Sequence, residues 1–305
     1  MLVRRNVWLI VFGCFHAALL YFADFLAAYG IIGILATFLL LYRERVQKAV
    51  LWLWGVSLLE LVGLTVFLAY RWTHSTGADV ATPAEGAASS MVTDYMSSIV
   101  TRLNEWPMHT ATVIPAIFIV CLGIWAANRR LLEDLDQHRS LLRKLALTCL
   151  PIAFLGGLPL ALQSAHVVQV DSDIVFVMNL LHKVSGMFGG PGYVAVIGLM
   201  AAGVRDRSGW AGRIMALGRR SLSGYLFQSF AWLMLLAPFT LYLGEKVGAP
   251  LLTAAVVAIA VWIFSVYAAE WMERRAYRGP AETLLRRLMY RAPIPGTRAL
   301  SRSGN

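Results

Sequence analysis

His16, Glu60 and Gln228 each stand inside an apolar run of this chain. A polar or ionisable side chain at the centre of a bilayer costs about 2.5–3.5 kcal/mol on insertion scales, so each position demands a reason. Histidine suits proton transfer near neutral pH, as a general base or as the group that carries the transferred moiety. A buried carboxyl such as Glu60 suits proton coupling. Counted from Arg5, Lys48 and Arg220, the three lie about 16, 18 and 12 Å along their helices at about 1.5 Å per residue. That common depth lets them converge. We read His16 and Glu60, with Asp24 eight residues beyond His16, as candidate catalytic groups.

A second set marks one helix face. Ser221, Tyr225, Gln228 and Ser229 recur at i, i+4, i+7 and i+8, while the other faces carry Leu, Phe, Trp and Met. Such a stripe turns toward protein or water. Arg219 stands at its end beside Arg220, where guanidinium groups suit phosphates. Arg219, Ser221, Tyr225 and Gln228 are thus the candidate substrate-binding residues. Plain interhelical hydrogen bonding, worth about 0.6 kcal/mol per pair, explains the stripe equally well. The arginines also serve topology and lipid contact. Asp24 follows His16 by eight residues, which on a straight helix is about 12 Å and about 80° out of phase. Only a break in the helix or a shared substrate couples them. Asp24 also suits capping a helix that follows it.

The elements that must hold these groups are membrane helices. The 305 residues are 58% hydrophobic and 14% charged, with mean hydropathy +0.64. A soluble domain carries about 45–50% apolar and about 25% charged residues, so a soluble enzyme and a disordered chain are both excluded. Cys14, Cys121 and Cys149 lie in apolar runs with no paired spacing, which opposes a disulfide framework or a zinc site. Eight runs approach the roughly 20 apolar residues of a span: 6–23, 25–42, 48–70, 108–128, 142–163, 183–204, 218–240 and 250–270. A tight turn near Asp24 separates the first two. The fold class is an all-α, polytopic transmembrane bundle of eight spans over residues 1–275, with a basic tail over 276–305. Placing both termini in the cytoplasm puts 23 of the 27 basic residues on that side. The net charge of +10 is therefore a topology signal, and the expected partners are membrane lipids rather than nucleic acid.

Two outer segments stand out. Residues 71–107 begin flexibly, through Thr82-Pro83 and Gly86, then place Val92, Tyr95, Met96, Ile99, Leu103 and Trp106 at helical spacing. We expect an interfacial helix on the outer leaflet, with Ser90 as its N-cap, in preference to a substrate lid. Residues 164–182 carry His166, Asp171, Asp173 and His182, whose spacing matches no metal-ligand pattern. In the sixth run Ser185, Gly186, Gly189, Gly190, Pro191 and Gly192 fit close helix packing, or else a broken helix lining a site.

With these residues in view, a resemblance becomes specific. Phe12-Gly13-x-x-His16, Leu20, and Asp24-x-Leu26-x-x-Tyr29-x-x-x-Gly33 resemble the opening element of the YeiB-like family, the bacterial inner-membrane proteins of the domain-of-unknown-function 418 group. Gly218-Arg219-x-Ser221-Leu222-Ser223-x-Tyr225-Leu226-x-Gln228-Ser229 is similar to its second element. Gly279-Pro280-x-Glu282-x-Leu284-x-Arg286 with Tyr290 resembles its closing signature. Phe25, Ser223 and Gly224 depart from the usual residues. The family's additional N-terminal helical pair, with its Asp-x-x-Arg-Gly element, finds no match, so the chain is expected to begin late. The resemblance implies a bacterial inner-membrane location and kinship with transmembrane acyltransferases, which pass an acyl group from a cytoplasmic donor to an acceptor on the far side. It implies no bound cofactor, acyl-coenzyme A as donor, and a small-molecule or glycan acceptor. His16 is then the reacting group, and Arg219 with Arg220 meets donor phosphates. A proton-coupled carrier working through Glu60 and a non-catalytic membrane protein are the alternatives. No GxxxxGK[ST] loop or GxSxG elbow is present, which opposes ATP-driven transport and lipase-type chemistry.

Overall fold

The computed structural model describes residues 2–39, 44–74, 87–203 and 209–290. The basic residues Arg43, Arg205, Arg207, Arg291, Arg298 and Arg302, and the stretch through Thr82-Pro83 and Gly86, lie outside these. Along the described chain run α1 (Leu2–Leu19), α2 (Leu26–Leu39), α3 (Glu44–Thr73), the short α4 (Ala88–Met91) and α5 (Tyr95–Val113). A 3-10 turn at Ile114–Ala116 joins α5 to α6 (Ile117–Asn128). Then follow α7 (Leu135–Ser164), α8 (Ser172–Gly203), α9 (Gly209–Gly218), α10 (Ser221–Leu236), α11 (Leu243–Val247), α12 (Pro250–Arg274) and α13 (Pro280–Met289). No strand occurs among the described residues.

Helix occupies each of the eight expected runs. Among the described residues six segments are long and apolar enough to cross a membrane: Leu2–Leu19, Leu51–Thr73, Tyr95–Asn128, Leu135–Ser164, Ser172–Gly203 and Pro250–Arg274. The apolar stretches in α2 and α10 are shorter. A bilayer leaves only such internally hydrogen-bonded rods stable, and this is an all-α, multi-pass membrane protein.

Some boundaries differ from the sequence reading. The helix expected to lie apart in 71–107 runs on through Pro107 to Val113, into the 108–128 run. Asp94, not Ser90, caps it by accepting from Ser97 N–H at 2.8 Å; the Ser90 hydroxyl turns to Ala87 O instead. The expected outer loop 164–182 shrinks because α8 already begins at Ser172, and Asp173 in its first turn pairs with Arg71. Of the two readings of the sixth run, the structure has the unbroken one. α8 passes through Pro191, and its small residues let α7 approach: a Cβ on Gly192 would stand 2.9 Å from Leu150 Cγ, and one on Gly156 would overlap the Ser185 side chain.

The chain forms two compact units that are not sequential. One comprises residues 1–34, 86–114 and 206–305, and the other 35–85 and 115–205. The second is built on the α7–α8 hairpin, with Leu68, Ile174, Val177, Met178 and Leu181 as a buried cluster. In the first unit α1 packs on α5 and α13, and α10 packs on α12 and α13. The stretch expected to be a basic tail therefore includes a docked helix. Its partners explain that: Ser223 N–H and hydroxyl both bond the Glu282 carboxylate, the former at 2.9 Å, and Ala281 N–H bonds Ser223 Oγ at 3.0 Å.

Candidate functional site

The site is assembled where α1 stops. The His16 carbonyl accepts from both Leu20 N–H and Tyr21 N–H, at 2.8 and 3.0 Å, which closes the helix and turns the chain back. Asp24 then accepts from Ala27 N–H at 2.8 Å in the first turn of α2, where the positive end of the helix favours a carboxylate. The capping role expected for Asp24 is present. So is the break that straight-helix arithmetic required. It brings His16 Nδ1 to 3.1 Å from Asp24 Oδ1, with both side chains wholly buried. The contact is an ion-pair approach, off the line of a well-aligned hydrogen bond.

Gly13 makes room for this. A Cβ there would overlap the Asp24 carboxylate and stand 2.5 Å from Ala27 N. Gly30 and Gly33 act alike further along, against Ile10 and Asn6. The glycines of the opening motif are thus the points where α2 lies on α1.

On its other edge the imidazole meets α10. His16 Nε2 lies 2.8 Å from Ser229 Oγ, and the Tyr225 ring stacks at 4.7 Å between centroids. The Tyr225 hydroxyl is 3.4 Å from Asp24 Oδ1 and accepts from Phe25 N–H at 3.4 Å. With Nδ1 facing a carboxylate, the fitting tautomer carries its proton there and leaves Nε2 to accept the Ser229 O–H. A buried carboxylate and imidazole followed by a half-buried hydroxyl is the succession of groups that activates an alcohol oxygen as a nucleophile.

The expected residues therefore separate. His16, Asp24 and Tyr225 come together. Gln228 is half-buried beside Ser229, and Ser221 is exposed at the start of α10. Glu60 belongs to the other unit and its side chain is exposed, not buried as its depth along α3 implied. The reason is helical phase. Leu61, Leu64 and Leu68 carry the packed side of α3, and Glu60 stands about 70° round from its centre. Arg219 and Arg220 both bond Glu273, at 2.5 and 2.6 Å, and the buried Arg220 also holds Tyr277 O and Ala216 O. Arg220 is thereby a structural clamp. Arg219, with Arg278 and Arg286, lines a polar cleft of about 550 Å³ that also holds Glu273 and Glu282.

A different cavity adjoins Ser229. It measures about 200 Å³ and runs toward the C-terminal end of α10, past Trp232, Leu233 and Leu236, to Arg102 and Ser89. Arg102 escaped the sequence reading because its segment was read for its apolar face. The signal is on the adjoining face: Ser98, Arg102, Glu105 and His109 recur at i, i+4, i+7 and i+11. His109 presses edge-on against Phe22 and Phe25 beside the turn, and its Nε2 is buried with no partner among the described residues.

A family model described as a protein of unknown function, DUF418, matches residues 126–292. That range takes in Tyr225, Ser229 and Glu282 and stops short of His16 and Asp24. The uncharacterised protein YxaH of Bacillus subtilis (strain 168) is 26% identical over 312 residues, spanning 94% of this chain and 71% of YxaH. No solved structure matches.

Proposed function

Since this chain belongs to the DUF418 family, whose function is unknown, its chemistry has to be read from its own side chains, and we propose that it transfers an acyl group to an extracytoplasmic acceptor. One observation carries the reading: the succession of buried Asp24, buried His16 and half-buried Ser229, at 3.1 and 2.8 Å, beside a cavity that Ser229 lines. The asymmetric distribution of arginine and lysine supports cytoplasmic termini in a bacterial inner membrane. The donor is acyl-coenzyme A, with its phosphates at the Arg219–Arg278–Arg286 cleft. Ser229 stands about 13 Å along α10 from Arg220, a span suited to an extended thiol-bearing arm.

The reaction has two halves. Ser229 Oγ attacks the thioester carbonyl while its proton passes to His16 Nε2. The carbon–sulfur bond breaks, the thiol leaves with that proton, and Ser229 holds the acyl group as an ester. An acceptor hydroxyl then gives its proton to His16, attacks the ester carbonyl, and returns Ser229 to the alcohol. Asp24 orients the ring and stabilises the imidazolium in both halves.

The test uses purified protein in nanodiscs with radiolabelled acetyl-coenzyme A, an acid quench and peptide mapping. Label is expected on the Ser229 peptide of the parent, none in Ser229→Ala, and slow loading in His16→Ala. Equal loading and turnover by the parent and both variants would remove this reading.

A further inference from the structure

Arg102 is 3% exposed, which for a guanidinium in a membrane protein demands compensation. Its direct hydrogen-bond partners are neutral. Its nitrogens donate to Ala18 O at 3.2 Å and to Ser98 Oγ at 2.9 Å. The cation also lies 5.6 and 5.8 Å from the ring centres of Tyr95 and Phe239. The carboxylate one turn along, Glu105, is engaged elsewhere: it accepts from Ser89 N–H at 3.2 Å and from Ser89 Oγ at 2.5 Å. Among the described residues no carboxylate stands within ion-pair distance of Arg102. A fork of five donors, with capacity left over after its direct hydrogen bonds to Ala18 O and Ser98 Oγ, lines a space it can share with an anion.

That space is the cavity beyond Ser229, and Arg102 is the one cation among the residues that line it. Most of the other lining groups are apolar, which strengthens any charge–charge attraction inside. Tyr21 and Trp232, which also line it, are 43% and 44% exposed, so the cavity reaches the surface. Its volume of about 200 Å³ holds a molecule of glyceric-acid size, or the end of a larger one. The Arg219 cleft lies toward the opposite end of α10, which leaves this pocket to the second substrate.

We propose that the cavity between Ser229 and Arg102 binds the acceptor, and that Arg102 selects a hydroxyl compound carrying a carboxylate or a phosphate. The inference rests on the acyl-transfer reading for the word acceptor, while the anion site stands on its own geometry.

Binding is measured first, as thermal stabilisation of the full chain in detergent at constant sodium chloride. The probes are glycerol, glycerate and glycerol 1-phosphate, which share hydroxyls and differ in charge. Glycerate or glycerol 1-phosphate is expected to stabilise the parent, with glycerol at least tenfold weaker in half-saturating concentration. The stronger anion identifies the class. Arg102→Gln should abolish the difference, Arg102→Lys should retain it in part, and Arg139→Gln, on an exposed face of α7, should leave it intact. Should Arg102→Gln fail to fold, Ala237→Leu fills the cavity with the arginine in place and is expected to abolish anion binding too. Equal effects of all three probes, or an anion effect surviving both Arg102→Gln and Ala237→Leu, would overturn the proposal. Acyl transfer to the same probes separates the two readings. Anion binding without any transfer removes the reaction and keeps the site, whereas transfer to glycerol as fast as to the anions removes the site and keeps the reaction.

Discussion

Glu282 caps α10 from 59 residues away, its carboxylate accepting the Ser223 N–H at 2.9 Å. Ser223 lies in the first turn of α10, where backbone N–H groups lack intrahelical partners and a negative charge is favoured. The Ser223 hydroxyl closes a second bond to the same carboxylate. Gly279 makes the approach feasible, with φ of 103° and no room for a Cβ beside Glu282. Two motifs separate in sequence are one joint. Glu282→Gln should cost about 1–2 kcal/mol, the value of a charge-assisted hydrogen bond and cap. Equilibrium unfolding in mixed micelles checks this, and an unchanged midpoint would contradict it.

Asp24→Asn tests orientation of the imidazole. The amide keeps the size of the side chain but cannot accept the Nδ1 proton in the same way. We expect the acyl-loading rate to fall by about 10²–10⁴ with donor affinity little changed. A loss confined to the Michaelis constant would instead assign Asp24 to substrate binding.

Gly13→Ala should act on the same carboxylate through space. The added methyl overlaps Asp24 and crowds Ala27 N, so either the carboxylate or the α1–α2 contact must shift. Overpacking of this kind costs about 1–3 kcal/mol. The expected signature is slow loading in a protein whose helix content by circular dichroism is that of the parent.

Asp94 gives a pH-dependent effect. The Ser97 N–H bond holds its carboxyl below the usual aspartate value of 3.8. A group depressed on folding stabilises the fold fully above its unfolded value, and that contribution vanishes as pH falls through the folded one. The stability difference between the parent and Asp94→Ala should therefore be constant from neutrality down to about pH 5 and shrink below about pH 4. Unfolding midpoints across that range test it.

How much of this was legible follows from which signals are local. Hydropathy placed the helices, because each span must satisfy its own backbone, and the α10 stripe pointed to Tyr225 and Ser229 by periodicity alone. The His16–Asp24 pair was legible only as a condition, since the chain reversal at residues 20–25 undoes any straight-helix distance. Glu60 misled because depth along a helix says nothing about azimuth. Arg102 is hidden for the opposite reason: its apolar neighbours dominate the pattern, and the polar face beside them is narrow. The Ser223–Glu282 joint lay beyond any local pattern, since nothing in residues 218–229 names a partner near 282.

Asp24 serves two masters with its two oxygens, one fastening the first peptide groups of α2 and the other facing an imidazole. The corner of the hairpin and the reactivity of the ring are consequently inherited together. A residue that reshaped the corner would retune the ring.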